Sequence, residues 1–273
     1  MIHNTAIVPN TVKVGHNVEI GPYAVVEDGV EIGDDSIIEA HAHLKRGARI
    51  GKNCTICAFT TISGDPQDLH FDKSIETFVE IGDGTTVREG ATVHRATVPG
   101  GTTRVGKNCL LMANSHIGHD CVVGDRCILA PFCALGGFVR MGCDAFVSGG
   151  VMLHQKIRVG DGVMLSGVSA FSEDVPPYVN AYKRNTVAGI NLIGMRRRKV
   201  PAEAIAEVKR LYMAIYDGTS AHTNALRLLE EKAYSTPEGE NFLRFFAEPG
   251  RHFIHLDLSL IHISEPTRLG MIS

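Results

Sequence analysis

Three short stretches of the chain, two bearing histidine and one a bare glycine pair, stand at one repeated interval: HIGHDC (116–121), Gly136-Gly137 and His154-Gln155. Eighteen residues separate His119 from Gly137 and Gly137 from Gln155, and the same step links Gly118, Gly136 and His154. If eighteen residues make one coil of a solenoid, these positions stack in columns, with adjacent coils about 4.8 Å apart like neighbouring strands. The glycine pair removes side chains beside His119, which lets a substrate approach and bares a backbone N–H. Histidine, with an ordinary pKa of about 6.5, is mostly neutral at neutral pH and can take a proton from a hydroxyl. A bare amide next to it can hold a tetrahedral oxyanion. That pair is the minimum apparatus for acyl transfer. Spacing alone leaves His119 with two readings, a catalytic base or a solvent-exposed surface histidine.

The elements that would carry these residues are visible in the aliphatic pattern. Stepping by six from Ile2 meets eleven consecutive aliphatic residues, ending at Ile62. Stepping again from Ile75 to Phe171 meets seventeen positions, of which only Pro99 is not an apolar side chain of the expected kind. Gly often follows the aliphatic residue, as at Gly15, Gly33, Gly82, Gly106 and Gly124, and a small or β-branched residue stands four places after it. A helix needs a period of 3.6 and a simple strand a period of two. Short strands joined by Gly-rich corners, with two inward residues per hexapeptide, fit instead. Three hexapeptides close one triangular coil, so the expected fold is a β-solenoid, a parallel β-helix of hexapeptide repeats over residues 1–178.

Composition agrees. In 273 residues there are 29 Gly, no Trp and 6% aromatics, too few large side chains for a thick core. A net charge of −3 from 27 basic and 30 acidic side chains argues against a nucleic-acid platform. No apolar stretch is long enough to span a membrane, and the first residues (MIHNTAIVPN) lack a signal-peptide pattern, so a cytoplasmic location is expected.

Two interruptions mark candidate functional loops, at 63–74 and 99–104. Of the seven Cys, five (Cys54, Cys109, Cys121, Cys127 and Cys133) fall in the small inward slot. They read as core fillers, and no metal is expected. A connecting segment is expected over 179–195 and a helical appendage over 196–250, with helices after Pro201, Ser220 and Thr236. LSLIHISEPTR (258–268) fits neither pattern and resembles a translated DNA-library adapter. Residues 258–273 therefore read as a non-native tail.

HIGHDCVVGDRCILA (116–130), PQDL (66–69), TVHRATV (92–98), the HQ pair (154–155) and DVPPY (174–178), in this order, carry a resemblance. The chain resembles the UDP-N-acetylglucosamine O-acyltransferases, hexapeptide-repeat enzymes that open lipid A biosynthesis in Gram-negative bacteria. The resemblance implies a left-handed winding, a homotrimer with sites between subunits, and no cofactor. It implies transfer of a 3-hydroxyacyl chain from acyl carrier protein to the glucosamine 3-hydroxyl. His119 then matches the general base and Gly137 the oxyanion donor, with Asp120 or Gln155 orienting the base. His116 and His154 match substrate contacts, and Gln67 and Asp68 lie in the loop that holds the sugar. Asn191 and Arg197 match positions at the nucleotide end, where an Arg fork suits a diphosphate. Gly167 matches the position that limits acyl length, a Gly there resembling members that accept long chains. Two residues depart from the family pattern: His70 stands where a Lys is usual, with Lys73 close by, and Phe138 stands where a His is common. The run Arg196–Lys199 is either a solvated helix-entry turn or a face for acidic acyl carrier protein. Two alternatives remain: a zinc enzyme of carbonic-anhydrase type using His94, His116 and His119, and a diverged acyltransferase acting on a 3-amino sugar nucleotide.

Overall fold

The structure is a computed structural model and describes residues 1–248, 250 and 252–256. Most strands are two residues long, and they line up in three parallel sheets. The first sheet runs from Lys13–Val14 to Arg158–Val159, the second begins at Glu19–Ile20, and the third runs from Val25–Val26 to Ala170–Phe171. Up to Phe171, consecutive strands in the chain belong to different sheets, and each pairs with the strand one coil later. Lys13 faces Glu31, Glu19 faces Ile37 and Val25 faces His43. This is a left-handed parallel β-helix.

The six-residue period follows from the cross-section. Each face of the prism points one aliphatic residue inward, so Ile38, Leu44 and Ile56 are fully buried, as are Leu111, Ile117 and Leu129. The slot after each corner, just before the next strand, takes a small residue, often one with a donor. Ser36, Thr85, Cys109, Cys121 and Cys127 each donate to a glycine carbonyl of the next coil, at 2.8 to 3.2 Å. That geometry explains the cysteines. They are unpaired and mostly buried, and burial pushes the Cys121 and Cys133 thiols up to about 12.

Each corner leaves an amide without a ladder partner. Along one edge, an aspartate of the following coil accepts it: Asp34 from His16, Asp83 from Lys52, Asp125 from Lys107 and Asp161 from Cys143.

The regular step is broken twice. Arg49 pairs with Glu80, thirty-one residues on instead of eighteen, so thirteen residues leave the coil. Glu80 then pairs with Arg104, twenty-four residues on, one extra hexapeptide, which is why the phase survives. Both loops are shifted from the bounds the sequence suggests, to 65–77 and 95–101. Ser63 and Gly64 extend the strand Thr61–Gly64, and residues 102–104 lie in the strand Thr102–Val105.

Segment 179–195 is more than a connector. Val179–Tyr182 and Thr186–Ile190 form an antiparallel hairpin at the end of the second sheet. Helix α1 (Leu192–Arg197) already begins there, capped by the Asn191 side chain. Three further helices follow: α2 (Ala202–Ile215), α3 (Ala221–Glu230) and α4 (Pro237–Ala247). Ser220 and Thr236 cap the last two through their hydroxyls, and Pro237 opens α4 where no amide is needed. Their apolar faces meet through Val208, Leu211, Leu228, Phe242 and Phe246. The tail assignment at 258–273 lies outside the described residues.

Candidate active site

His119, Gly137 and Gln155 occupy three successive coils on the edge where the third sheet turns into the first. The outward loop leaves from this same edge, so Gln67, Asp68, His70 and Lys73 belong to it as well. Gln67, Asp68 and His70 are exposed, and the Asp68 carboxylate accepts from the His70 amide at 2.9 Å. Lys73 reaches Asp65 at 3.8 Å.

His119 is held from one side only. Its Nδ1 lies 2.8 Å from Asp120 Oδ2, and both side chains are mostly buried. The other side of the ring lies over residue 137. A Cβ built there would stand 2.4 Å from both Nε2 and Cε1, so the ring can occupy this place only above a glycine. The Phe138 ring closes the site edge-on, 5.2 Å from the imidazole, and carries Lys156 Nζ 5.7 Å from its centre. Gln155 fills the slot that an aspartate holds on the neighbouring edge, and the Gly137 amide has no acceptor among the described residues. It remains a donor beside the imidazole.

Further histidines line the approach. His116 Nδ1 pairs with Thr92 Oγ1 at 2.8 Å, and its ring meets His94 edge-on with centres 4.7 Å apart. Burial, then repulsion from His116 and His119, pushes His94 down to about 4, and burial lowers His116 as well. Both rings are therefore neutral at neutral pH. His154 is exposed, with Nδ1 3.2 Å from the Gln155 carbonyl.

The remaining residues singled out by sequence lie elsewhere in the protomer. Gly167 sits on the edge between the second and third sheets, 3.3 Å (at an added Cβ) from the Gly149 carbonyl. Asn191 and Arg197 lie beside the edge between the first and second. Asn191 is buried, its Oδ1 accepting from Gly194 and its Nδ2 donating to the Gly162 carbonyl, each at 2.9 Å. In this chain its amide is committed to capping α1. Arg197 is exposed in the last turn of that helix.

Several supports were not readable in the sequence. Arg95, almost fully buried, binds Asp65 at 3.0 Å and the carbonyls of Ile75 and Lys73, and lies over the Phe71 ring. Thr97 and Thr103 bind Asp120. Among the described residues no three His, Cys, Asp or Glu side chains converge to hold a metal ion.

Comparison with known proteins separates the readings. Residues 11–46, 29–64 and 102–137 match the bacterial transferase hexapeptide (six repeats), and residues 174–254 match domain 2 of UDP N-acetylglucosamine O-acyltransferase. The acyl-[acyl-carrier-protein]–UDP-N-acetylglucosamine O-acyltransferase of Campylobacter concisus is 36% identical over 231 residues, 84% of this chain and 88% of that protein. The chain belongs to this acyltransferase family.

Solved structures of UDP-N-acetylglucosamine acyltransferases superpose over almost the whole chain. That from Bacteroides fragilis is 37% identical with a TM-score of 0.88, covering 93% of this chain and 100% of its own. That from Campylobacter jejuni is 31% identical with a TM-score of 0.87, covering 93% and 99%. No helix among the described residues is long and apolar enough to cross a membrane. Membership in the O-acyltransferase family also disfavours the zinc alternative.

Proposed function

We propose that this chain transfers a 3-hydroxyacyl group from acyl carrier protein to the 3-hydroxyl of UDP-N-acetylglucosamine, the opening step of lipid A biosynthesis. The observation that carries the chemistry is the His119 ring, anchored through Nδ1 on Asp120 and lying over the Gly137 backbone. Nδ1 carries the proton shared with Asp120, which leaves the Nε2 lone pair to take the proton of the sugar hydroxyl. The hydroxyl oxygen attacks the thioester carbonyl, and the Gly137 N–H stabilises the oxyanion that forms. Collapse expels the carrier thiolate, which takes back the proton from His119. No cofactor is needed.

The substrate would lie along the same edge. Gln67, Asp68 and His70 on the exposed loop, with Lys73, reach for the sugar and its phosphates, and His116, His154 and Gln155 flank it. Arg197 serves the nucleotide end, and Gly167 leaves room for the end of the acyl chain. In one protomer these groups stand on three different edges of the prism. A cytoplasmic homotrimer with sites between subunits accounts for this, because it brings one subunit's edge against its neighbour's.

The test is a mass-resolved assay of the full chain with UDP-N-acetylglucosamine and 3-hydroxyacyl carrier proteins of several lengths. A 3-O-acylated sugar nucleotide from the parent, lost in His119→Ala, is the expected result. Product only from a 3-amino acceptor would redirect the assignment.

A further inference from the structure

We propose that Thr97, supported by Thr103, is a positioning residue for His119, acting through the Asp120 carboxylate. The inference rests on the reading of His119 as the general base and concerns what fixes its tautomer. At most ordinary corners of the solenoid, the residue with positive φ donates its amide to the carbonyl nineteen positions earlier, although Tyr23 donates to the Thr5 hydroxyl. Phe138 donates to His119, Lys156 to Gly137 and Asp144 to Asp125, each at 2.9 Å. Asp120 has the same backbone conformation, with φ of 59°, and breaks the rule. The carbonyl nineteen positions back, at Gly101, accepts from Phe78 instead, and the Asp120 amide donates to the buried Thr103 hydroxyl at 2.8 Å.

The carboxylate above it is caged. Asp120 Oδ2 accepts from the Thr97 hydroxyl at 2.7 Å and from the Thr97 amide at 3.0 Å, besides lying 2.8 Å from His119 Nδ1. A mostly buried carboxylate needs such donors, and it only accepts, so the hydrogen toward it must sit on Nδ1. Thr97 thus fixes the plane of the carboxylate, and through it the tautomer and tilt of the imidazole. The extra hexapeptide is what brings Thr97 here. Its turn is pinned by Gly100 donating to Glu76 at 2.9 Å and Gly101 donating to Val98 at 2.7 Å. The ordinary corners on this edge offer the equivalent residue a single carbonyl, as at Phe138 and Lys156.

Thr97→Val deletes the hydroxyl at nearly constant shape, and Thr97→Ser keeps it. In the acyl-transfer assay on the full chain, Thr97→Val is expected to lower kcat roughly tenfold with KM for both substrates within about twofold, since a hydrogen bond to a charged group is lost without touching substrate. Thr97→Ser is expected to restore most of kcat. Solid-state 15N spectra of histidine-labelled protein, with His119→Gln to assign the signal, read the tautomer without any turnover. The parent should show one dominant Nδ1–H form at His119, and Thr97→Val a mixture. Parental kcat in Thr97→Val, or an unchanged tautomer signal, overturns the proposal. If the parent itself transfers no acyl group, the functional assignment fails, and the spectra alone decide the role of Thr97.

Discussion

The imidazole of His119 lies over the backbone of Gly137 so closely that a single added carbon at residue 137 would sit 2.4 Å from two ring atoms. The neighbouring glycine is confined differently. A Cβ on Gly136 would meet the Gln155 amide nitrogen at 2.7 Å and the Leu153 carbonyl at 3.0 Å, both backbone of the next coil. A side-chain ring can swing aside, whereas a paired coil cannot. Gly137→Ala should therefore fold, losing about 1 kcal/mol or less, while kcat drops at least a hundredfold as the base is displaced. Gly136→Ala should instead lower the melting temperature by several degrees. Thermal melts and kcat for the two variants check this, and an active Gly137→Ala enzyme contradicts the proposed site.

Replacing Asp120 by Asn tests the charge of the dyad. The Thr97 hydroxyl, the Thr97 amide and His119 Nδ1 all meet Oδ2, so in Asp120→Asn an amide oxygen at that position keeps these partners but removes the negative charge beside the ring. The neutral carboxamide then no longer stabilises the imidazolium that forms when Nε2 takes the hydroxyl proton. A fall in kcat of roughly a hundredfold, with KM little changed, is expected. Steady-state kinetics in both substrates measure it, and a tenfold loss or less would argue that Asp120 only shapes the pocket.

The reach of the sequence follows from where the register is regular. Between His119 and Gln155 no residue is inserted, so the eighteen-residue step placed His119, Gly137 and Gln155 on one edge, where the structure has them. The aliphatic hexads were readable because a thin prism admits one large inward side chain per face. Arg95 and Thr97 were not. Their partners, Asp65 with the 73–75 carbonyls and Asp120, belong to other coils, and the two insertions shift the count between them. Loop ends were misplaced for a related reason: Ser63, Gly64 and residues 102–104 are polar or turn-forming types that remain in strands because a neighbouring strand pairs with them. Nor does the sequence reveal that the Asn191 amide caps a helix, because its partners Gly162 and Gly194 lie outside any repeat that relates them.

His94 makes stability depend on pH. Burial, with help from His116 and His119, pushes it down to about 4, whereas in the unfolded chain it protonates near its ordinary value. Between those values the unfolded chain binds the extra proton, so the stabilisation is complete above pH 6.5 and is lost as pH falls toward 4. The loss from pH 7 to pH 5 should be about 2 kcal/mol for this group. His116, shifted the same way, adds to the trend. Denaturant unfolding of the parent and of His94→Gln at both pH values separates the term. The variant should show the smaller decline, and equal declines in the two proteins would place the acid sensitivity elsewhere.

Arg95 ties the exposed 65–77 loop to the solenoid, and its removal should separate loop order from core stability. Its guanidinium bonds Asp65 through Nε, donates to the Ile75 and Lys73 carbonyls at 3.1 and 3.3 Å, and packs its plane against Phe71, 4.8 Å from the ring centre. A lysine keeps the charge but has no fork, so it can hold Asp65 and not both carbonyls. The hexad core is untouched, because Val93 and Ile62, which anchor that coil, point inward on their own. Arg95→Lys should thus melt within a few degrees of the parent while the 65–75 segment becomes open to limited proteolysis. KM for the sugar nucleotide should rise roughly tenfold and kcat change less, as expected when a substrate-positioning element is loosened without disturbing the base. If KM holds steady while the loop is cut readily, the loop does not bind the sugar, and the assignments of Gln67, Asp68 and His70 fall with it.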